Sequence, residues 1–192
     1  MNNSARLSGM IASAPVFSHR IHDVNLYECT ICVRRLSGTT DTLVLLFPEI
    51  LLPQMQGQVT VQGALRGYTR QEAQKRRLLL MVLVRSVRKG AEEDNNVFSL
   101  VGELVRPVYY RKTPLGREIA DLMLRVPRPC SGMDYLPCVV WGRCARFCSH
   151  LEKGARLAVT GRLQSRSYTK VTSEGEQTRV AFELSLGKLT VL

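Results

Sequence analysis

The chain has 192 residues, with 27 Lys and Arg against 16 Asp and Glu, so its formal net charge is +11; this points to an anionic partner and says nothing by itself about fold. Its longest apolar run, residues 78–84, is far short of the ~20 residues that span a bilayer, and residues 1–13 lack the basic start and apolar core of a signal peptide. A membrane-spanning or secreted class is thereby excluded, a soluble cytoplasmic chain is expected, and the six cysteines are expected to be reduced core residues rather than disulfides.

In chain order, a first strand runs over residues 6–11 through Gly9, and Ala14-Pro15 turns it. Tyr27, Cys29, Ile31 and Val33 alternate with Glu28, Thr30, Cys32 and Arg34, the period-two pattern of a strand with one core face. Residues 37–41 form a turn of Ser, Gly, Thr and Asp, and residues 43–47 a third strand that Pro48 ends. A short connector over 49–56 leads to a fourth strand at 59–68, a long basic hairpin at 69–77 and a fifth strand at 78–84. That fifth strand is apolar on both faces; a domain this small needs one face for its core, so the other is expected to be an association surface, covered by the other domain or another chain.

Residues 89–95, with Gly90 and three consecutive acids, read as a linker. Beyond it the order recurs: a strand at 97–104, a loop at 107–116 bearing Arg111 and Lys112, a strand at 118–126, a turn at 127–134 and a strand at 135–141. Residues 142–154 hold a helix in which Cys144, Phe147, Cys148 and Leu151 fall at helical spacing and Gly154 stops it. Cys144 and Cys148 are expected in the core. Next comes Leu-Ala-Val-Thr-Gly-Arg-Leu-Gln-Ser-Arg-Ser-Tyr, residues 157–168. Leu157, Val159 and Leu163 alternate with polar or small residues, Gly161 marks a bulge or bend, and Arg162, Arg166 and Tyr168 can share a face that offers cations to phosphates and a ring to a base. A last strand follows, with Val180, Phe182, Leu184 and Leu186 on one face.

The recurrence is an internal repeat. Gly9 and Gly102 are 93 residues apart, as are Asp41 and Asp134, each of which closes a Ser-Gly turn; Gly63 and Gly161 are 98 apart. Gly63 opens Gly-Ala-Leu-Arg-Gly-Tyr, which answers the segment after Gly161 and sets Tyr68 against Tyr168. Two copies of about 90 residues are each large enough to fold. Five strands with a helix between the third and fourth is the order of an OB barrel, whose sheet face and loops bind oligonucleotides. The expected fold is all-β, two tandem OB-fold barrels of five strands each, with one helix between the third and fourth strands of the second. The expected domains are 4–88, a partly diverged barrel, the linker 89–95, and 96–192.

Residues 96–186 resemble the bacterial single-stranded DNA-binding proteins through Gly102-Glu103-Leu104-Val105-Arg106-Pro107, Tyr110-Arg111-Lys112-Thr113-Pro114-Leu115-Gly116, Val139-Val140-Trp141-Gly142, Leu151-Glu152-Lys153-Gly154 and the segment from Gly161 to Tyr168. The resemblance implies base-stacking rings at Tyr135, Trp141 and Tyr168. A further family ring would fall near Pro129 or Cys130, where this chain has none. In the first copy Thr42 answers Tyr135, and Phe47 answers Trp141 only with a one-residue slip, so copy one is expected to be partly turned from binding to assembly. The family commonly assembles four OB domains, which implies a homodimer here, and its usual acidic C-terminal recruitment tail has no counterpart before Leu192.

The expected interface is therefore Tyr135, Trp141 and Tyr168 with the cations Arg111, Lys112, Arg162, Arg166 and Lys170, joined from the first copy by Arg66 and Tyr68. The plainer alternatives are a core position for Trp141 and solvated faces for the cations. No catalytic constellation appears, and no cofactor is expected. His19, His22, Cys29 and Cys32 superficially resemble a zinc site, but strand alternation sends the two cysteines to opposite faces, and no metal is expected. The function expected from this pattern is sequence-independent binding and protection of single-stranded DNA in replication, recombination or repair, by a protein of the cytoplasm and nucleoid. The alternatives are a structural adaptor of a replication or transfer complex and an RNA-binding OB module.

Overall fold

A computed structural model describes residues 3–72, 75–90, 93–172 and 175–192, with side chains described for all of these except 70–72, 75–77, 166–168, 170–172 and 177–179. The first barrel is built from β1 (Asn3–Ile11), β2 (Val16–Ile21), β3 (Val24–Arg34), β4 (Thr40–Pro48), β5 (Gln58–Glu72) and β6 (Lys75–Lys89). The second is built from β7 (Asn95–Leu104), β8 (Tyr109–Lys112), β9 (Glu118–Pro127), β10 (Met133–Trp141), β11 (Arg156–Thr172) and β12 (Gly175–Val191). The helix α1 (Arg143–Cys148) lies between β10 and β11, and a 3-10 helix, Glu49–Gln54, takes the same place in the first barrel.

Both barrels close in the same way. In the first, β1 pairs with β3 and β5, β3 with β4, β4 in parallel with β6, and β6 with β5. In the second, β7 pairs with β9 and β11, β9 with β10, β10 in parallel with β12, and β12 with β11. The sixth strand of each set, β2 or β8, is an added edge strand in a hairpin with β3 or β9. Antiparallel pairing of β1 with β7, from Asn3 opposite Leu100 to Ser8 opposite Asn95, joins the barrels into one 12-stranded sheet.

Alternation accounts for the core. Cys29, Ile31 and Val33 of β3, and Leu157, Val159 and Leu163 of β11, are buried in it. Gly161 carries the expected bulge, a register shift at Thr160/Gly161, and Gly63 its equivalent at Gln62/Gly63. A Cβ at Gly161 would run into the Ser185 carbonyl, and one at Gly63 into the Leu83 carbonyl, so glycine is required where the strand bends over its neighbour.

The structure revises several local expectations. Residues 107–116, expected as a loop, contain β8, whose hydrogen bonds come from pairing with β9. β2 lies in a stretch with no alternating pattern to announce it. The helix is six residues long, and only Ala145 and Cys148 of it are buried, with Leu151 packed against the same core. Cys144 and Phe147 are exposed, because a single turn laid on a barrel offers it one narrow face. Burial pushes the Cys148 thiol up to about 11, with the neighbouring Cys144 adding to the shift. Cys29 is buried and its thiol pushed up to about 12 by desolvation, while Cys32 faces away beside Thr42.

The two-faced strand β6 sends Leu80, Val82 and Val84 into the main core. Leu79, Met81 and Leu83 join a second, outer cluster with Leu26, Leu46, Val44 and Tyr68. Phe182 of the second barrel lines the groove over that cluster, so part of the surplus apolar face meets the other barrel.

Candidate nucleic-acid interface

The outer face of the second barrel can be assembled from strand register. Arg162 on β11 lies opposite Ser185 on β12, Ser185 pairs with Val139 on β10, Val139 with Asp121 on β9, and Asp121 with Tyr109 on β8. This single row crosses five strands, about 19 Å at the usual inter-strand spacing. Along β10, Tyr135 and Trp141 have the parity of Val139 and so stand on the same face, roughly 20 Å apart at the usual rise per residue. Tyr135 is 48% and Trp141 44% exposed. Trp141 therefore belongs to the surface rather than the core. Arg111 shares its row, through Ile119.

The cations around these rings are held without being fully neutralised. Arg111 donates from Nε to Asp121 at 3.1 Å, with both side chains partly accessible. Arg125, directly opposite Tyr135, donates to Glu103 at 2.9 Å. Arg162 is exposed; Lys112 is exposed too, but by strand alternation it takes the opposite face of β8 from Arg111, the one Tyr110 takes. Between the strands lies a groove of about 510 Å³ lined by Arg106, Tyr109, Arg111, Asp121, Pro137 and Glu183. Rings that stand free beside cations are what a flexible anionic strand with stackable bases requires.

Tyr109 and Arg125 were not among the expected residues. Tyr109 is well exposed, whereas Tyr110 is half-buried with its hydroxyl donating to Glu118 at 2.7 Å. That hydroxyl bond, with Arg146 beside it, holds the Glu118 carboxyl below its ordinary value. Two adjacent tyrosines on one edge strand must face opposite ways, a signal that only strand pairing with β9 reveals. Arg166, Tyr168 and Lys170 lie on β11, but their side chains fall outside the described residues.

Two expected members from the first barrel lie elsewhere. Arg66 is 5% exposed, its guanidinium donating to Asp134 at 2.9 Å; an arginine closed into a buried ion pair is not presented to phosphate. Tyr68 is half-buried against the outer apolar cluster, with the Arg128 guanidinium 5.6 Å from its ring centroid. Desolvation raises its pKa. The bulges also fix the equivalence of the copies: Gly63 matches Gly161, which sets Tyr68 against Arg166 and Arg70 against Tyr168, two residues from the alignment read off the sequence. Phe47 is fully buried and matches Val140, leaving Pro48 opposite Trp141. At the positions of Tyr109, Arg111, Tyr135, Trp141 and Arg162, the first barrel has Val16, His19, Thr42, Pro48 and Ala64. None of these five is a tyrosine, a tryptophan or an arginine.

Comparison with known proteins agrees with this asymmetry. Residues 95–191 match the model of the Single-strand binding protein family. A single-stranded DNA-binding protein of Halalkalibacterium halodurans is 41% identical over 76 residues, covering 36% of this chain and 45% of that protein. Single-stranded DNA-binding protein 1 of Staphylococcus aureus is 40% identical over 76 residues, covering 36% and 46%. The chain thus spans about half the length of the curated relatives it matches. The wild-type single-stranded DNA binding protein from Thermus aquaticus superposes with a TM-score of 0.79 over 99% of this chain and 92% of that one, at 18% identity, a likeness of fold that takes in both barrels.

Proposed function

Since this chain belongs to the single-strand binding protein family, we propose that it binds and protects single-stranded DNA without regard to sequence, stacking bases on the second barrel and pairing its cations with phosphates. The observation that carries the reading is the row from Arg162 to Tyr109, flanked by Tyr135 and Trp141, on a barrel whose structural twin lacks every one of those side chains. The twin serves as the internal comparison: the same topology without those side chains. Arg166, Tyr168 and Lys170, on the same long hairpin as Arg162, extend the set. The chemistry asked of it is binding, with no catalytic step, in the cytoplasm and on the nucleoid in replication, recombination or repair.

The test is a titration of poly(dT) against the fluorescence of Trp141, the only tryptophan, at low and high salt. Saturable quenching that weakens with salt is expected. Replacing Tyr135 and Trp141 together by Ala should weaken binding by about 1–3 kcal/mol per ring, followed by mobility shift. Full affinity in that double variant would remove the face from the interface.

Two chains, with two barrels each, are proposed to assemble as a homodimer of four OB domains. What supports this is the apolar outer cluster of the first barrel and, on its β2–β3 hairpin, the exposed Val16, Phe17, Ile21 and Val24.

A further inference from the structure

Each barrel places a buried carboxylate on the backbone of the other barrel's long hairpin. Asp41 of β4, with no solvent exposure, accepts from the Ser165 N–H at 2.9 Å and the Ser165 hydroxyl at 3.2 Å, on β11. Arg35 donates to the other Asp41 oxygen at 2.7 Å. Asp134, equally buried, accepts from the Gly67 N–H at 3.0 Å on β5, from Arg66 at 2.9 Å and from Arg128 at 2.7 Å. Arg128 also donates to the Gly67 carbonyl at 3.1 Å. The contacts are related by the internal repeat: Asp41 and Asp134, Arg35 and Arg128, and Ser165 and Gly67 are equivalent positions.

A second pair fixes the same arms. Asn3 bonds the backbone N–H and carbonyl of Leu65 at 2.9 and 2.7 Å, and Asn96 those of Leu163 at 2.9 and 2.8 Å. A Cβ on Gly67 would lie 3.1 Å from the Tyr135 carbonyl, a measure of how closely one arm runs over the other barrel's β10. Removing carboxylates from water is costly unless charge and hydrogen bonds are both supplied, as they are here.

These contacts are interleaved with the binding residues. Asp134 directly precedes Tyr135, and Ser165 lies one residue before Arg166 and three before Tyr168. We propose that Asp41 and Asp134 are positioning residues that register each barrel's hairpin arm on the other barrel, so that the arm carrying Arg166 and Tyr168 meets the nucleic acid in place only while the first barrel holds it. The first barrel thus contributes to binding through Asp41, a side chain that itself meets no nucleic acid. This inference rests on the reading of the second barrel as the strand-binding one.

The experiment is a mutant cycle of Asp41→Asn and Tyr168→Ala in the full chain, read as affinity for a dT oligonucleotide at fixed salt, with thermal melting as a control of folding. Removing a negative charge from a chain of net +11 strengthens its attraction for a polyanion, so charge alone predicts tighter binding. Positioning predicts the opposite: affinity falls on the order of tenfold, and Asp41→Asn costs less once Tyr168 is Ala. Unchanged or tighter binding by Asp41→Asn, or the same loss in both backgrounds, overturns the proposal. If Asp41→Asn does not fold, Ser165→Ala takes its place: it removes the hydroxyl bond to Asp41 and leaves the net charge unchanged, so a fall in affinity that is smaller in the Tyr168→Ala background is expected, and unchanged affinity overturns the proposal. Failure of the unaltered chain to bind the oligonucleotide overturns instead the reading on which the proposal rests.

Discussion

Asp41 is a turn residue by composition and an interdomain contact by structure, and its chemistry sets an acid limit. Burial alone would push its carboxyl up, but the Arg35 hydrogen bond, the Ser165 N–H and the Arg35 charge more than offset it and hold the group below the ordinary carboxylate value. A carboxyl whose native pKa is depressed contributes stability that is complete above its unfolded value, about 3.9, and is lost as pH falls from there through the native value. The Asp41→Asn protein should therefore be less stable by about 3 kcal/mol at pH 7, and the difference should shrink below about pH 4, as urea denaturation at a series of pH values would record. The sequence marked Asp41 and Asp134 as matching residues of matching turns, and so located both ends of the pair without their partners. Hydrogen bonding to Ser165 spans 124 residues, and no local pattern encodes that separation. The repeat likewise pointed to Arg66 as a binding cation, but its partner Asp134 lies 68 residues away and no local pattern marks it.

At the scale of elements, the long strands were legible through alternation and the short ones were not. β3, β10 and β11 bury one face each, so their period-two patterns are plain. β8 has four residues and draws its stability from its pairing with β9, which leaves its sequence free to resemble a loop. The bulge glycines were legible too, because few residues but glycine fit a bend pressed onto a neighbouring carbonyl. Gly161→Ala should cost about 2 kcal/mol, since the added methyl meets the Ser185 backbone rather than a side chain that could move aside. At this chain length that corresponds to a melting temperature lower by about 4–8 °C, measurable by circular dichroism. The equivalence of the two copies needed the bulges as well. Aligned on Leu, Arg and Tyr, Tyr68 falls on Tyr168; aligned on the structural bulges, it falls on Arg166.

At the scale of the whole molecule, one chain holds two barrels of one topology with different surfaces. The second is aromatic and cationic outside, the first apolar outside, and the homodimer reading places that apolar surface in assembly. Sedimentation equilibrium should return twice the chain mass of 21.6 kDa; the mass of one chain at all concentrations would leave the outer cluster to Phe182 alone. The all-β class, the two copies, the glycine bends and the cations and rings of the second copy were legible in the amino-acid sequence, because each is written in local periodicity or in residue type. Long-range pairing is what ties the arms to the opposite barrels, commits Arg66 to Asp134, brings Tyr109 onto one face with Tyr135 and Trp141, and fuses the barrels into one sheet through β1 and β7. These depend on which segments distant in the chain come within hydrogen-bonding distance. That is settled by barrel closure and by the need to satisfy every buried carboxylate, and neither requirement leaves a period in the sequence.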